Sequence, residues 1–120
     1  MDGRANRRTG ALGEQAAAEY LKRRRWRILE TNYRCRQGEI DLIAEDRHYL
    51  IFVEVKTRKN ADFAEAREFV TAAKQRRVRT AAALWLSVHP TDKQPRFDVI
   101  EVYGEGERVY RINHLENAFE

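Results

Sequence analysis

The chain has 120 residues, with 23 Lys and Arg against 19 Asp and Glu, for a formal net charge of +4. Apolar residues make up 42% and charged residues 35%, which suits one core of ordinary size and leaves too little chain for two stable domains. No apolar run approaches the roughly 18–20 residues of a membrane span, and the single cysteine, Cys35, excludes an internal disulfide or an all-cysteine metal site.

Residues 1–8, with Arg4, Arg7 and Arg8, read as a basic arm ahead of a single domain. No apolar stretch follows them, so they do not read as a secretory signal, and a cytoplasmic location is expected. A first helix is predicted from about Thr9 to Arg25. Leu12, Ala16 and Tyr20 recur at helical spacing, and Ala17 and Leu21 widen that stripe. Its end carries Lys22 to Arg25, where cations suit the negative pole of the helix dipole. Glu14 borders the apolar stripe and points partly inward, although a carboxylate in the first turn is also ordinary dipole chemistry.

Trp26 to Tyr33 alternates as a strand. Gly38 marks a turn into a second strand, Glu39 to Glu45. After Asp46-Arg47-His48, the run Tyr49 to Thr57 is apolar on both faces, which predicts a central, doubly covered strand. A second helix is expected from Thr71, a good N-cap, to about Ser87, with Val78, Ala81, Ala82 and Trp85 as its buried stripe. Pro90 and Pro95 punctuate the next loop. Arg96 to Tyr103 reads as a strand, Gly104-Glu105-Gly106 as a turn, and Glu107 to Ile112 as the hairpin partner. Asn113 is positioned to cap a short terminal helix ending near Phe119. The order α-β-β-β-α-β-β predicts an α/β domain, a mixed sheet of about five strands flanked by helices.

The chemistry-bearing residues lie in the middle hairpin. If Glu45 pairs with Leu50 and the register continues one-for-one, Asp41 falls directly opposite Glu54, while Lys56 shares the face of Glu54. Two opposed carboxylates among apolar neighbours need a compensating cation or a proton. Lys56 offers one charge and a divalent ion two. Oxygen donors without His or Cys suit Mg²⁺ or Mn²⁺, and an ion held this way is the arrangement that cuts phosphodiesters. Lys56 could then orient the attacking water or neutralise charge developing on the phosphate. A Glu-x-Lys triplet alone is more often a solvated ion pair on an exposed strand; the Asp in register, the doubly apolar strand and the basic chain are what favour a metal site.

Lys74 and Gln75 open the second helix, where free N–H groups attract phosphate, or they form an ordinary polar helix start. The cations also cluster elsewhere, at Lys22 to Arg25, at Arg34 and Arg36, and at Lys74, Arg76, Arg77 and Arg79. A sequence pI of about 9.5 makes an anionic partner plausible. His48, His89 and His114 are isolated from one another and read as surface or loop residues, Cys35 as inert, and Trp26 and Trp85 as core. Tyr33 and Tyr49 are the aromatics left open for base stacking.

The segments Gly38-Glu39-Ile40-Asp41-Leu42-Ile43-Ala44, Phe52-Val53-Glu54-Val55-Lys56-Thr57-Arg58, Val70-Thr71 with Lys74-Gln75, and Arg96-Phe97-Asp98-Val99 closely resemble the small bacterial UPF0102 (YraN-like) family. Gly13-Glu14 with Ala17 and Tyr20-Leu21, and Asn32-Tyr33-Arg34-Cys35, extend the likeness over nearly the whole chain. That family is similar to the restriction-endonuclease-like PD-(D/E)xK superfamily, near the archaeal Holliday-junction resolvases. The resemblance implies a restriction-endonuclease-like fold in which Asp41, Glu54 and the backbone carbonyl of Val55 bind Mg²⁺ or Mn²⁺ and Lys56 assists the attacking water. It gives Glu14 the place of the first-helix acid, and Gln75 or Lys74 that of the second-helix polar residue. The segment Asp62 to Arg67 departs from it by lacking the usual Gly and Pro.

The implied activity is a Mg²⁺-dependent DNA endonuclease, acting on branched or structured DNA. Arg34, Arg36, Arg58, Lys74 and Arg77 would hold phosphates without reading sequence. Branched substrates would suit a homodimer presenting two sites. A non-catalytic nucleic-acid-binding module, or a protein-interaction domain with a buried ion network, is the alternative.

Overall fold

The structure, a computed structural model, describes residues 3–59 and 70–120. Its elements follow the predicted order: helix α1 (Gly3–Arg23), strands β1 (Arg27–Cys35), β2 (Gly38–Glu45) and β3 (Tyr49–Lys59), helix α2 (Ala72–Val88), and strands β4 (Gln94–Glu105) and β5 (Arg108–Phe119). The strands form one sheet in the order β1-β2-β3-β4-β5. All neighbours are antiparallel except β3 and β4, which run parallel across the α2 crossover. This is the five-stranded mixed α/β sheet that the sequence predicts, in a restriction-endonuclease-like arrangement.

The sheet is covered on both faces. Toward α1, Ala17 and Leu21 pack on Leu42, Ala44, Ile51, Val53, Ile100 and Val102. Toward α2, Val78, Ala81, Ala82 and Trp85 pack on Ile43, Leu50, Phe52 and Val99. Strand β3 therefore sends odd residues toward α1 and even ones toward α2, and its apolar character on both faces follows from that central position. Trp26 and Trp85 are both core. The Thr71 hydroxyl accepts from the Lys74 N–H and caps α2 as expected.

Three boundaries differ from the sequence reading. Helix α1 begins at Gly3, so residues 3–8 belong to it rather than to an arm, and it closes at Arg25, whose φ is 66°. Strand β4 starts at Gln94 and takes in Pro95, tolerated so near the start of a strand. The predicted terminal helix is absent: β5 continues to Phe119, with Leu115 and Phe119 paired on Val99 and Phe97 across a bulge. Asn113, read as a helix cap, instead donates its amide to Glu101 Oε1 at 2.8 Å. The segment Asp62 to Arg67 lies outside the described residues.

Candidate active site

The hairpin register holds through Glu45↔Leu50, Ala44↔Ile51, Ile43↔Phe52 and Leu42↔Val53, then stops one rung short of Asp41 and Glu54. On its other side Asp41 falls between the rungs Thr31↔Leu42 and Tyr33↔Ile40. There Asn32 takes a left-handed φ of 52°, which asparagine tolerates better than most residues. Strand β2 thus parts from β3 at Asp41. The Asp41 carboxylate fills the missing rung by accepting the Val55 N–H at 2.8 Å. An extended residue directs its N–H and C=O to the same edge, so the Val55 carbonyl faces the same gap.

Alternation along β3 places Glu54 and Lys56 on the α2 face, within reach of the Asp41 charge, and α2 supplies a second ammonium there. Lys74 Nζ pairs directly with Glu54 Oε1, and Lys56 Nζ stands 3.8 Å from the same oxygen. Glu54 is only 6% exposed. The Asp41 carboxyl is pushed up to about 7, first by burial and then by the Glu54 charge, with Glu14 adding to the rise. The Val55 N–H and Lys74 act against that rise. Lys56 is held below its ordinary value by burial and by the adjacent Lys74 ammonium. Burial would lower Lys74 too, but hydrogen bonding to Glu54 and the Glu54 charge outweigh it and raise it. Two carboxylates and two lysines of opposed tendencies share one pocket, as at sites tuned for chemistry.

Glu14 comes from α1, which crosses β3 closely because Gly13 carries no side chain: a Cβ there would run into the Thr57 hydroxyl. Gln75, next to Lys74 at the start of α2, turns its amide nitrogen to the chain before the helix. Its amide donates to the Val70 carbonyl at 3.0 Å and fastens the start of α2, so the second-helix position at the site belongs to Lys74. Four of the five cations expected to meet phosphate line one groove of about 430 Å³: Arg34, Arg36, Lys74 and Arg77. Gly38 lets the β1–β2 turn approach α2, since a Cβ there would lie 2.8 Å from the Arg77 carbonyl oxygen. Arg58 is elsewhere, with its Nε 3.5 Å from the buried Glu101 carboxylate. Tyr33 is half-buried against the α2-side core, and Tyr49 is half-buried with the Arg96 guanidinium 4.6 Å from its ring centre.

Sequence reasoning missed His114. It is not a surface residue: its Nε2 lies 2.7 Å from Asp98 Oδ2, and its Nδ1 faces the Tyr20 hydroxyl at 3.0 Å. Asp98 is fully buried and also accepts a bidentate pair from Arg96 at 2.9 and 2.8 Å and the Asn117 N–H at 2.9 Å. This network lies on the α1 face and fastens β5 to the sheet. The available signal was Arg96 and Asp98 alternating within an apolar strand, which marks a buried ion pair in need of further donors.

Among the described residues, no three His, Cys, Asp or Glu side chains gather as a ready cage for a metal. The donors at the gap are two carboxylates and a main-chain carbonyl. That set fits a hard ion that keeps several waters, as Mg²⁺ does, rather than zinc. The Lys74 ammonium on Glu54 already shows the pocket compensating its charge with a cation.

Residues 13–102 match the model of "Uncharacterised protein family UPF0102", a span that holds Glu14, Asp41, Glu54, Lys56 and Lys74. A UPF0102 protein of Symbiobacterium thermophilum is 48% identical over 115 residues, covering 95% of this chain and 98% of that protein. One from Alkaliphilus oremlandii is 46% identical over 117 residues (95% and 99%), and one from Geobacter metallireducens is 44% identical over 116 residues (96% and 94%). The chain belongs to the UPF0102 family.

Proposed function

We propose that this protein is a Mg²⁺- or Mn²⁺-dependent nuclease that hydrolyses phosphodiester bonds in DNA, with branched or otherwise structured DNA as its substrate class. One observation carries the reading: Asp41 and Glu54 meet where β2 parts from β3, beside two lysines and next to a basic groove. Asp41, Glu54 and the Val55 carbonyl would hold the ion, which supplies polarisation of the phosphoryl oxygen and an acidified water. Lys56, with its lowered pKa, orients the attacking water and offsets charge developing on the phosphate. Glu14 adds negative charge from the α1 side. Arg34, Arg36 and Arg77 hold the backbone without reading bases, so recognition follows strand geometry.

The test is incubation of the purified protein with duplex, single-stranded, flap and four-way DNA, in Mg²⁺ or Mn²⁺, beside Glu54→Ala and Lys56→Ala. Cleavage is expected to disappear in both variants while DNA binding is not lost. Cleavage undiminished in Glu54→Ala would assign the activity to a contaminant and remove the reading. A second reading, a DNA-binding module without turnover, draws on the Lys74 ammonium that already neutralises Glu54. It requires salt-dependent affinity that is indifferent to Mg²⁺.

A further inference from the structure

We propose that the groove between the β1–β2 turn and the start of α2 is a phosphate subsite for a nucleic-acid strand, and that Lys74 serves it in exchange with Glu54. In this scheme the Lys74 ammonium stays on Glu54 until a divalent ion enters, then turns into the groove and meets the phosphate. The inference deepens the nuclease reading and rests on it for the ion.

Lys74 is the residue that both lines the groove and pairs with the acidic pocket. Its flexible stem and compact ammonium can serve either, which a planar guanidinium could not do as freely. A dication between Asp41 and Glu54 outbids a single ammonium for the same oxygen and repels it. Lys56, already 3.8 Å from Glu54, leaves Lys74 little room to remain beside the ion.

The groove is a suitable destination. It holds Arg34, Arg36 and Arg77 against one carboxylate, Glu39, which lies 3.4 Å from Arg34. No described carboxylate pairs with Arg36 or Arg77, and both are exposed. Its volume of about 430 Å³ falls in the range of small-ligand clefts, roughly 300–1,000 Å³. That size takes a nucleotide unit of one strand rather than the face of a duplex. Because one lysine serves both sites, ion binding and phosphate binding are linked, and each must strengthen the other by the same factor.

The scheme is tested without turnover. In EDTA, binding of a short fluorescein-labelled DNA is followed by anisotropy for the wild type, Glu54→Gln, Lys74→Ala and the double variant. Glu54→Gln frees Lys74, so it should tighten metal-free binding about fivefold to tenfold, and by less than about twofold when Lys74 is already Ala. Equal tightening in both backgrounds would mean general loss of negative charge and would overturn the exchange. Separately, free Mn²⁺ measured by its paramagnetic resonance should show tighter ion binding by Lys74→Ala than by the wild type. Weaker or equal binding would overturn the scheme.

One measurement needs no variant. Reductive methylation of wild-type Lys74, read by mass spectrometry, should accelerate when Mn²⁺ is added and slow again when DNA follows. A rate indifferent to Mn²⁺ would equally end the proposal. Cleavage of DNA by a protein that fails these tests would leave the nuclease reading standing and remove only the exchange.

Discussion

Two aspartates, the half-buried Asp41 and the fully buried Asp98, show how surroundings divide structural from chemical roles. Burial pushes both carboxyls up. Around Asp98, hydrogen bonds from His114, Arg96 and the Asn117 N–H outweigh burial and hold the group below its ordinary value. Around Asp41, the Glu54 charge reinforces burial instead, and the group rises to about 7. The signs of their linkage to stability are opposite. The Asp98 contribution is present above the unfolded carboxyl value and is lost as pH falls through its lowered folded value. The Asp41 contribution is complete below about 3.8 and is lost as pH rises through about 7. In the metal-free protein, the unfolding free energy from urea denaturation should therefore rise between pH 8 and pH 5, by no more than about 3 kcal/mol at 1.36 kcal/mol per pH unit. Asp41→Asn should abolish that rise, and Mg²⁺ should diminish it by favouring the ionised pair. Asp98→Ala should cost about 3–5 kcal/mol in urea denaturation because it takes the bidentate partner from buried Arg96, which keeps only Glu116 at 3.8 Å. It should leave the Asp41-dependent pH profile intact.

At the scale of elements, the site depends on where strands separate and where a helix comes close. The middle hairpin was legible because its loop is short and Asp46 Oδ1 accepts the His48 and Tyr49 N–H groups at 2.8 and 2.7 Å, which fixes the register from Glu45↔Leu50 onward. The separation at Asp41 was not legible, since it depends on Asn32 in a neighbouring strand and on a carboxylate replacing a backbone partner. The tail of β5 was hidden for a similar reason. Asn113 has the chemistry of a helix cap, but buried Glu101 lies across from it in the sheet and takes its amide. His114 stood alone in the sequence because its partners are 16 and 94 residues away. The approach of α2 gives a test at this scale. Gly38→Ala places a methyl 2.8 Å from the Arg77 carbonyl oxygen, a backbone atom with little freedom to retreat. It should cost about 1–3 kcal/mol in thermal or urea denaturation, as overpacking does. It should also weaken DNA binding, because the groove wall and Lys74 move with α2.

Over the whole molecule the net charge of +4 says little, and the arrangement of the charges says more. Arg58, Arg96 and Lys93 are engaged with Glu101, Asp98 and Glu45, so these cations offer little to a polyanion. The groove cations face solvent beside the acidic pocket. Binding to DNA should then show a salt slope built from a few residues, at about 0.9 per phosphate neutralised. Arg36→Ala and Arg77→Ala should each flatten the plot of log affinity against log salt by about one unit, alike for all sequences. Arg34→Ala should flatten it less, because Glu39 already shares the Arg34 charge. Arg58→Ala should leave the slope unchanged while lowering stability, since its loss strands Glu101 rather than a phosphate. Lys74→Ala should alter the slope only when a divalent ion is present, because without one its charge belongs to Glu54. Equal effects from all five substitutions would mean that the protein meets DNA through its overall charge, and that the groove is not where the strand lies.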